Sequence, residues 1–114
     1  MNSESLRDLV LHTLEEHKAT DVTCLPVATL TNVTDFMVIA TATSPRHAKA
    51  LSDHLLGATK AAGLQPLGVE GTDTGEWVLV DHGDVVTHIM LADTRDHFDL
   101  ERLWRSPVAP THSD

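Results

Sequence analysis

The sequence is short of the residues that would place it outside a reducing compartment or inside a membrane. It holds one cysteine, Cys24, which excludes an internal disulfide framework and fits a reducing cytoplasm. The opening stretch, MNSESLRDLV, lacks the basic region and apolar core of a secretory signal. Long hydrophobic runs are also missing, and the longest, such as residues 36–40 (FMVIA), are far too short to cross a bilayer. A soluble, cytoplasmic protein is expected. Cations are scarce: eight Lys and Arg stand against 17 Asp and Glu, a net charge of −9 with the eight histidines neutral. No two cations are adjacent. Phosphate backbones repel such a chain unless its cations gather on one face, so direct sequence-specific binding of nucleic acid is not expected. An acidic surface facing a basic protein fits the balance better, although solubility alone also accounts for it.

What remains is enough for one domain. A chain of 114 residues, 41% of them apolar, builds a single core with no room for a second. Leu6, Leu9, Val10 and Leu14 recur at helical spacing and predict a helix from Ser5 to about Lys18, with Ser5 and Asp8 as an approximate capping box. Asp21–Val27 reads as a strand whose Pro26 favours an edge. Phe36–Thr41 is a continuous apolar run of strand length, expected to be covered on both faces. Ser44-Pro45 marks a helix start and Gly63 its stop, with Ala48, Leu51, Leu55, Ala58 and Ala62 along one stripe. Leu64–Gly71 predicts a further strand. Glu76–Asp81 and Asp84–Met90 predict a hairpin joined by His82-Gly83. Asp99–Trp104 reads as a short terminal helix. The order α-β-β-α-β-β-β-α implies an α/β fold, a mixed sheet with helices packed on it. Residues 1–104 are expected to form the one domain, and the proline-containing stretch 105–114 a loose tail.

Five segments resemble the ribosomal silencing factor (Iojap) family. They are residues 34–40 (TDFMVIA), 43–50 (TSPRHAKA), 68–71 (GVEG), 75–90 (GEWVLVDHGDVVTHIM) and 99–104 (DLERLW), in family order and spacing. With the leading helix, the resemblance reaches Trp104. It implies a fold like a reduced nucleotidyltransferase domain without the transferase chemistry. It also implies a translation repressor that binds the large ribosomal subunit through a basic protein at its intersubunit face, the fourteenth large-subunit protein in the family. Binding there would block joining of the small subunit when nutrients are short. Mitochondrial relatives act in large-subunit assembly, and isolated members are often dimers, so a homodimer is expected. Phe98 stands where a tyrosine is usual, and Thr87 where an aliphatic is usual.

Chemistry offers the rival reading. A nucleotidyltransferase needs a Gly-Ser helix start to cradle phosphate and two carboxylates at alternate strand positions to hold magnesium. Here the helix opens Thr43-Ser44-Pro45, and Asp81 and Asp84 flank a turn, so no catalysis and no cofactor are expected. His47 and His54 are two helical turns apart, too far for a common ion. His82, Asp84 and His88 are close in sequence but spread along the hairpin, and no metal site is expected. Cys24, in an apolar strand, reads as a small hydrophobe.

The hairpin carries the candidate site. A turn at His82-Gly83 would set Asp81 opposite Asp84, Leu79 opposite Val86 and Trp77 opposite His88, and opposed residues share a face. One face then carries Trp77, Leu79, Asp81, Asp84, Val86, His88 and Met90. The other, with Val78, Val80, Val85, Thr87 and Ile89, is the better core. A tryptophan among aliphatics and two opposed acids suits a cationic protein partner. Trp77, Leu79, Asp81, Asp84, His88 and Met90 are therefore the expected partner-binding residues. The competing reading makes the aspartates ordinary turn formers and packs Trp77 under the terminal helix. The resemblance, which requires a binding surface, tips the choice. Arg46 and Lys49 read as solvated, Gly68 and Gly71 as backbone requirements, and Trp104 as core cover.

Overall fold

The computed structural model of the chain describes the backbone of residues 1–105 and the side chains of residues 1–102. The expected tail beyond residue 105 and the side chain of Trp104 lie outside the described residues. Helix α1 (Ser3–Glu16) begins two residues earlier than its apolar stripe suggests, because Asn2, not Ser5, is its N-cap. The Asn2 side chain accepts from the Ser5 N–H at 2.7 Å, and the Ser3 hydroxyl donates to Asp35. Leu6, Val10, Thr13 and Leu14 form its buried face.

Strands β1 (Thr20–Pro26) and β2 (Phe36–Ala42) follow, then helix α2 (Pro45–Ala61). Ser44 caps α2 by accepting from the His47 N–H at 3.1 Å, Pro45 occupies its first turn, and Gly63 (φ +84°) ends it, as the sequence predicts. Its buried stripe runs Ala48, Leu51, Ser52, Leu55, Thr59, which turns away from the expected Ala58 and Ala62 in the last turns. Strand β3 is only Gly68–Glu70, shorter than the expected Leu64–Gly71. Pro66 has no N–H to give a ladder, so regular pairing starts late. Strands β4 (Trp77–Asp81) and β5 (Val85–Leu91) form the hairpin.

The sheet order is β1-β2-β5-β4-β3, with β2 and β5 parallel and the other pairs antiparallel. It is therefore a mixed α/β sheet, with β1 and its Pro26 at one edge. Strand β2 is buried from Met37 to Ala42, which its unbroken apolar run foretold. Alternation divides each strand between two cores. Val38, Ala40, Ala42, Val78, Val80, Val85 and Ile89 pack with Leu6, Val10 and Leu14 of α1 and Ala48, Leu51 and Leu55 of α2. Truncating Leu51 or Leu55, both essentially fully buried, to alanine would cost ~2–5 kcal/mol. The opposite face holds a smaller cluster, Val27, Met37, Ile39 and Met90, with Leu25, Trp77 and Leu100 packed on it.

Two short helices, α3 (Ala92–Phe98) and α4 (Leu100–Arg105), close the described chain. The α3 helix escapes sequence reading because it buries no residue and so shows no apolar stripe. Asp99, at φ +47°, makes the left-handed break between them. Arg95 anchors both. Its guanidinium donates to both carboxylate oxygens of Glu101 at 2.9 and 3.0 Å, to the Asp21 carbonyl at 2.6 Å, and to the Thr41 and Thr23 hydroxyls at 2.8 and 3.1 Å. A planar fork with five donors suits such a junction, which fastens the C-terminal helices across β1 and β2.

Candidate functional site

The β4–β5 hairpin closes differently from its sequence reading. Gly83 lies at φ +85°, the Asp84 N–H reaches the His82 carbonyl at 3.1 Å, and the His82 N–H reaches Val85 at 3.0 Å. The tight turn is thus centred on Gly83-Asp84, at a φ that residues with a Cβ resist. Val86 therefore opposes Asp81, His88 opposes Leu79 and Met90 opposes Trp77, two residues further along than expected. The cause is His82, which belongs to the first core, where its Nε2 sits 3.0 Å from the Thr59 hydroxyl of α2. A shift of two preserves side-chain alternation, so the division into faces stands. The opposition of Asp81 to Asp84 does not. Asp81 instead accepts from the Gly83 N–H at 2.8 Å and braces the turn, while Asp84 is exposed at its tip.

On the sheet face away from α1 and α2, pairing sets out three rows. Leu25, Met37, Val86, Asp81 and Gly68 form the first, and Thr23, Ile39, His88, Leu79 and Glu70 the second. Thr41, Met90 and Trp77 form the third. Leu100 and Trp77 cover the cluster beneath them, which includes Met90. Trp77, Leu79 and Asp81 are half-buried, and Asp84 is exposed. His88 and Met90, at 6% and 0% exposure, are corrections to the expectation of an outward-facing set. Both support the face from within. Conversely, register adds Glu70, exposed beside Leu79, and the chain's return adds Phe98, 51% exposed, whose ring centroid lies 4.7 Å from that of Trp77. Glu70 could have been found by alternation within β3. Phe98 stands out in the sequence only through the resemblance, and its place beside Trp77 has no signal because α3 shows no apolar stripe.

The indole N–H of Trp77 donates to His88 Nδ1 at 3.0 Å. Burial pushes the His88 pKa down to about 4, which keeps that nitrogen an acceptor. Gly71, at φ +88°, lies under the start of β4, where a Cβ would fall 2.0 Å from the Trp77 carbonyl oxygen. The strand residues of this face include Glu70 and Asp81 but no lysine or arginine. The arrangement is a half-open apolar strip with acids along one side, the complement of a basic protein surface.

Elsewhere, three histidines and the cysteine are tied into structure. His47 accepts from the Thr43 N–H at 3.0 Å and its Nε2 meets the His17 carbonyl at 3.0 Å, linking the end of α1 to the start of α2. His54 stacks on His17 with ring centroids 3.5 Å apart. Cys24 is half-buried in β1, where desolvation raises its thiol pKa and dulls it as a nucleophile. Among the described residues, no three His, Cys, Asp or Glu side chains are grouped to hold a metal ion. No helix among them is long and apolar enough to cross a membrane.

The comparisons with known proteins agree with the segments named above. The family described as "Ribosomal silencing factor during starvation" matches residues 1–113. The chain belongs to that family. A ribosomal silencing factor of Chromobacterium violaceum is 41% identical over 104 residues, spanning 91% of this chain and 85% of the relative. One from Bacillus subtilis is 31% identical over 91% of this chain and 88% of its own length. A mouse protein named "Mitochondrial assembly of ribosomal large subunit protein 1" is 33% identical over 85% of this chain and 44% of its own length. The fold is likewise that of the family. A crystal structure of a C. violaceum protein superposes with a TM-score of 0.90 at 41% identity, covering 92% of this chain and 88% of that one. One from Bacillus halodurans gives 0.81 at 30% identity, covering 89% and 94%.

Proposed function

We propose that the protein is a non-enzymatic repressor of translation that docks on the large ribosomal subunit in the cytoplasm and occludes the small one. Family membership supports a ribosome-associated role, and the mouse relative's name supports the large subunit. The observation that carries the docking mode is the apolar and acidic sheet face around Trp77, Leu79, Phe98, Asp81, Asp84 and Glu70, with no cation among its strand residues. Such a face seats against a basic ribosomal protein at the intersubunit surface, where occupancy alone blocks joining. A regulator of this kind needs no bound cofactor and no turnover. In the homodimer that the resemblance implies, this face has to stay free or open on docking.

The test is sedimentation of purified protein with separated subunits. It is expected to travel with large subunits, and not with small subunits or fully joined ribosomes. Equal retention on small subunits, or stable occupancy of joined ribosomes, would refute the proposal. A second reading, assembly of the large subunit without control of joining, is favoured by the mouse relative's name. It would use the same face. Loss of the protein would then deplete mature large subunits in growing cells, whereas the silencing reading predicts altered joining with normal subunit yields.

A further inference from the structure

A tryptophan on a half-open sheet face has several staggered orientations available, and only one is seen here. Trp77 opposes Met90 across the hairpin, so His88 is its diagonal neighbour, within reach of a long side chain. The Trp77 Nε1–H donates to His88 Nδ1 at 3.0 Å, with the rings tilted at 49° and their centroids 5.9 Å apart. On another side, the Phe98 ring meets Trp77 at 4.7 Å and 50°. An indole nitrogen can only donate, so this bond requires His88 in the neutral form with its proton on Nε2. His88 itself is 6% exposed and offers a partner almost no surface.

We propose that His88 is a positioning residue, which holds the Trp77 indole in the orientation that docks. This rests on the docking face described above and assigns that face a device that sets its shape before the partner arrives. The physical gain is entropic. A side chain already fixed in its bound rotamer spares the ordering cost of association, an effect of about three- to tenfold in affinity for one residue. Buried indole donors also require an acceptor, and β5 supplies it from the same face of the sheet through the buried His88, leaving the outer indole surface free. The partner would thus meet a rigid aromatic edge formed by Trp77 and Phe98.

The experiment is a double-mutant cycle scored on isolated large subunits, with a spectroscopic readout beside it. The variants His88→Leu and His88→Asn are compared in the Trp77 chain and in Trp77→Phe, which keeps a ring but has no N–H. His88→Leu is expected to weaken subunit binding about five- to tenfold when Trp77 is present, and less than twofold in Trp77→Phe. His88→Asn, whose side-chain oxygen lies near the place of Nδ1, is expected to restore binding to within about threefold of the parent. In a Trp104→Phe background, which leaves Trp77 as the sole tryptophan, His88→Leu should shift emission to longer wavelength and raise quenching by acrylamide, and His88→Asn should not. His88→Met serves the same comparison should the leucine variant not fold. The proposal is overturned if the losses at His88 are equal in the Trp77 and Trp77→Phe chains, since His88 then acts on the fold alone. It is also overturned if His88→Leu binds like wild type while Trp77→Ala does not. If Trp77→Ala binds like wild type too, the docking face itself is wrong, and this role for His88 falls with it whatever the emission shows.

Discussion

Replacing Trp77 with alanine separates a docking side chain from a core one, because the structure makes it partly both. The indole is half-buried, donates one hydrogen bond to His88 and packs on the Val27, Met37, Ile39 and Met90 cluster. Truncating a fully buried tryptophan costs ~3–5 kcal/mol, so roughly half that, ~2 kcal/mol, follows for a residue with an open side. Against a typical domain stability of ~5–15 kcal/mol the variant stays folded at 25 °C. For a chain of 114 residues the melting temperature should drop by roughly 8 °C. A hot-spot tryptophan costs ~2 kcal/mol or more in binding, about thirtyfold in affinity. Thermal melting and large-subunit binding on the same preparations therefore give a modest loss in one and a large loss in the other. Melting more than about 20 °C below wild type, with normal binding by the folded fraction, would refute the reasoning and make the face core.

Charge reversal at Asp84 should weaken binding and flatten its dependence on salt at an unchanged melting temperature, because Asp84 is exposed at the turn tip. The same change at Asp81 should also lower stability by ~1 kcal/mol, since its carboxylate accepts from the Gly83 N–H; equal melting of the two variants contradicts the turn described. Acid titration tests the buried histidine. His88 falls from 6.5 to about 4 on folding, so between those pH values the unfolded chain takes up a proton that the folded one refuses. Its contribution is intact above pH 6.5, declines as pH falls and is gone below about 4, ~3 kcal/mol in all, with His82 shifted in the same direction by burial. Stability of wild type relative to His88→Asn, measured by urea unfolding across that window, should converge as pH drops; a constant difference contradicts burial of a neutral ring. Arg95→Ala should cost ~3 kcal/mol and release α3 and α4 to hydrogen exchange, because Glu101 and the Thr23 and Thr41 hydroxyls lose one shared donor. Unchanged exchange there would show that Arg95 anchors nothing.

The parts of the fold that were legible in sequence are those written by periodicity. The run Phe36–Thr41, the Ser44-Pro45 start and the alternation of β4 and β5 each carry their own signal, whereas chain length predicts a single core and the smaller second cluster of Val27, Met37, Ile39 and Met90 corrects it. What was not legible depends on partners distant in sequence. The sequence leaves the hairpin centre open, since His82-Gly83 and Gly83-Asp84 are both competent turns; the contact of His82 with Thr59 and the bond from the Gly83 N–H to Asp81 favour the second. Parity rescued the faces, since a slip of two leaves every side chain on its own side. The apolar stripe starts at Leu6 and points to Ser5 as the α1 cap, while the carboxamide that satisfies the helix end belongs to Asn2. Helix α3 has no apolar stripe, so neither Phe98 beside Trp77 nor the junction at Arg95 could be anticipated. His88 and Met90 are buried although alternation puts them on the outward face, because alternation tells which face a residue is on, and not what later crosses that face.

Occlusion of the small subunit is read directly from subunit joining in purified components. Large subunits are incubated with increasing protein, small subunits are added under joining conditions, and the joined fraction is read on a gradient. Joined ribosomes are expected to decline as protein rises, while the protein sediments with free large subunits. The Trp77→Ala curve should be displaced to about thirtyfold higher concentration. Undiminished joining with the large subunits saturated by protein would contradict occlusion.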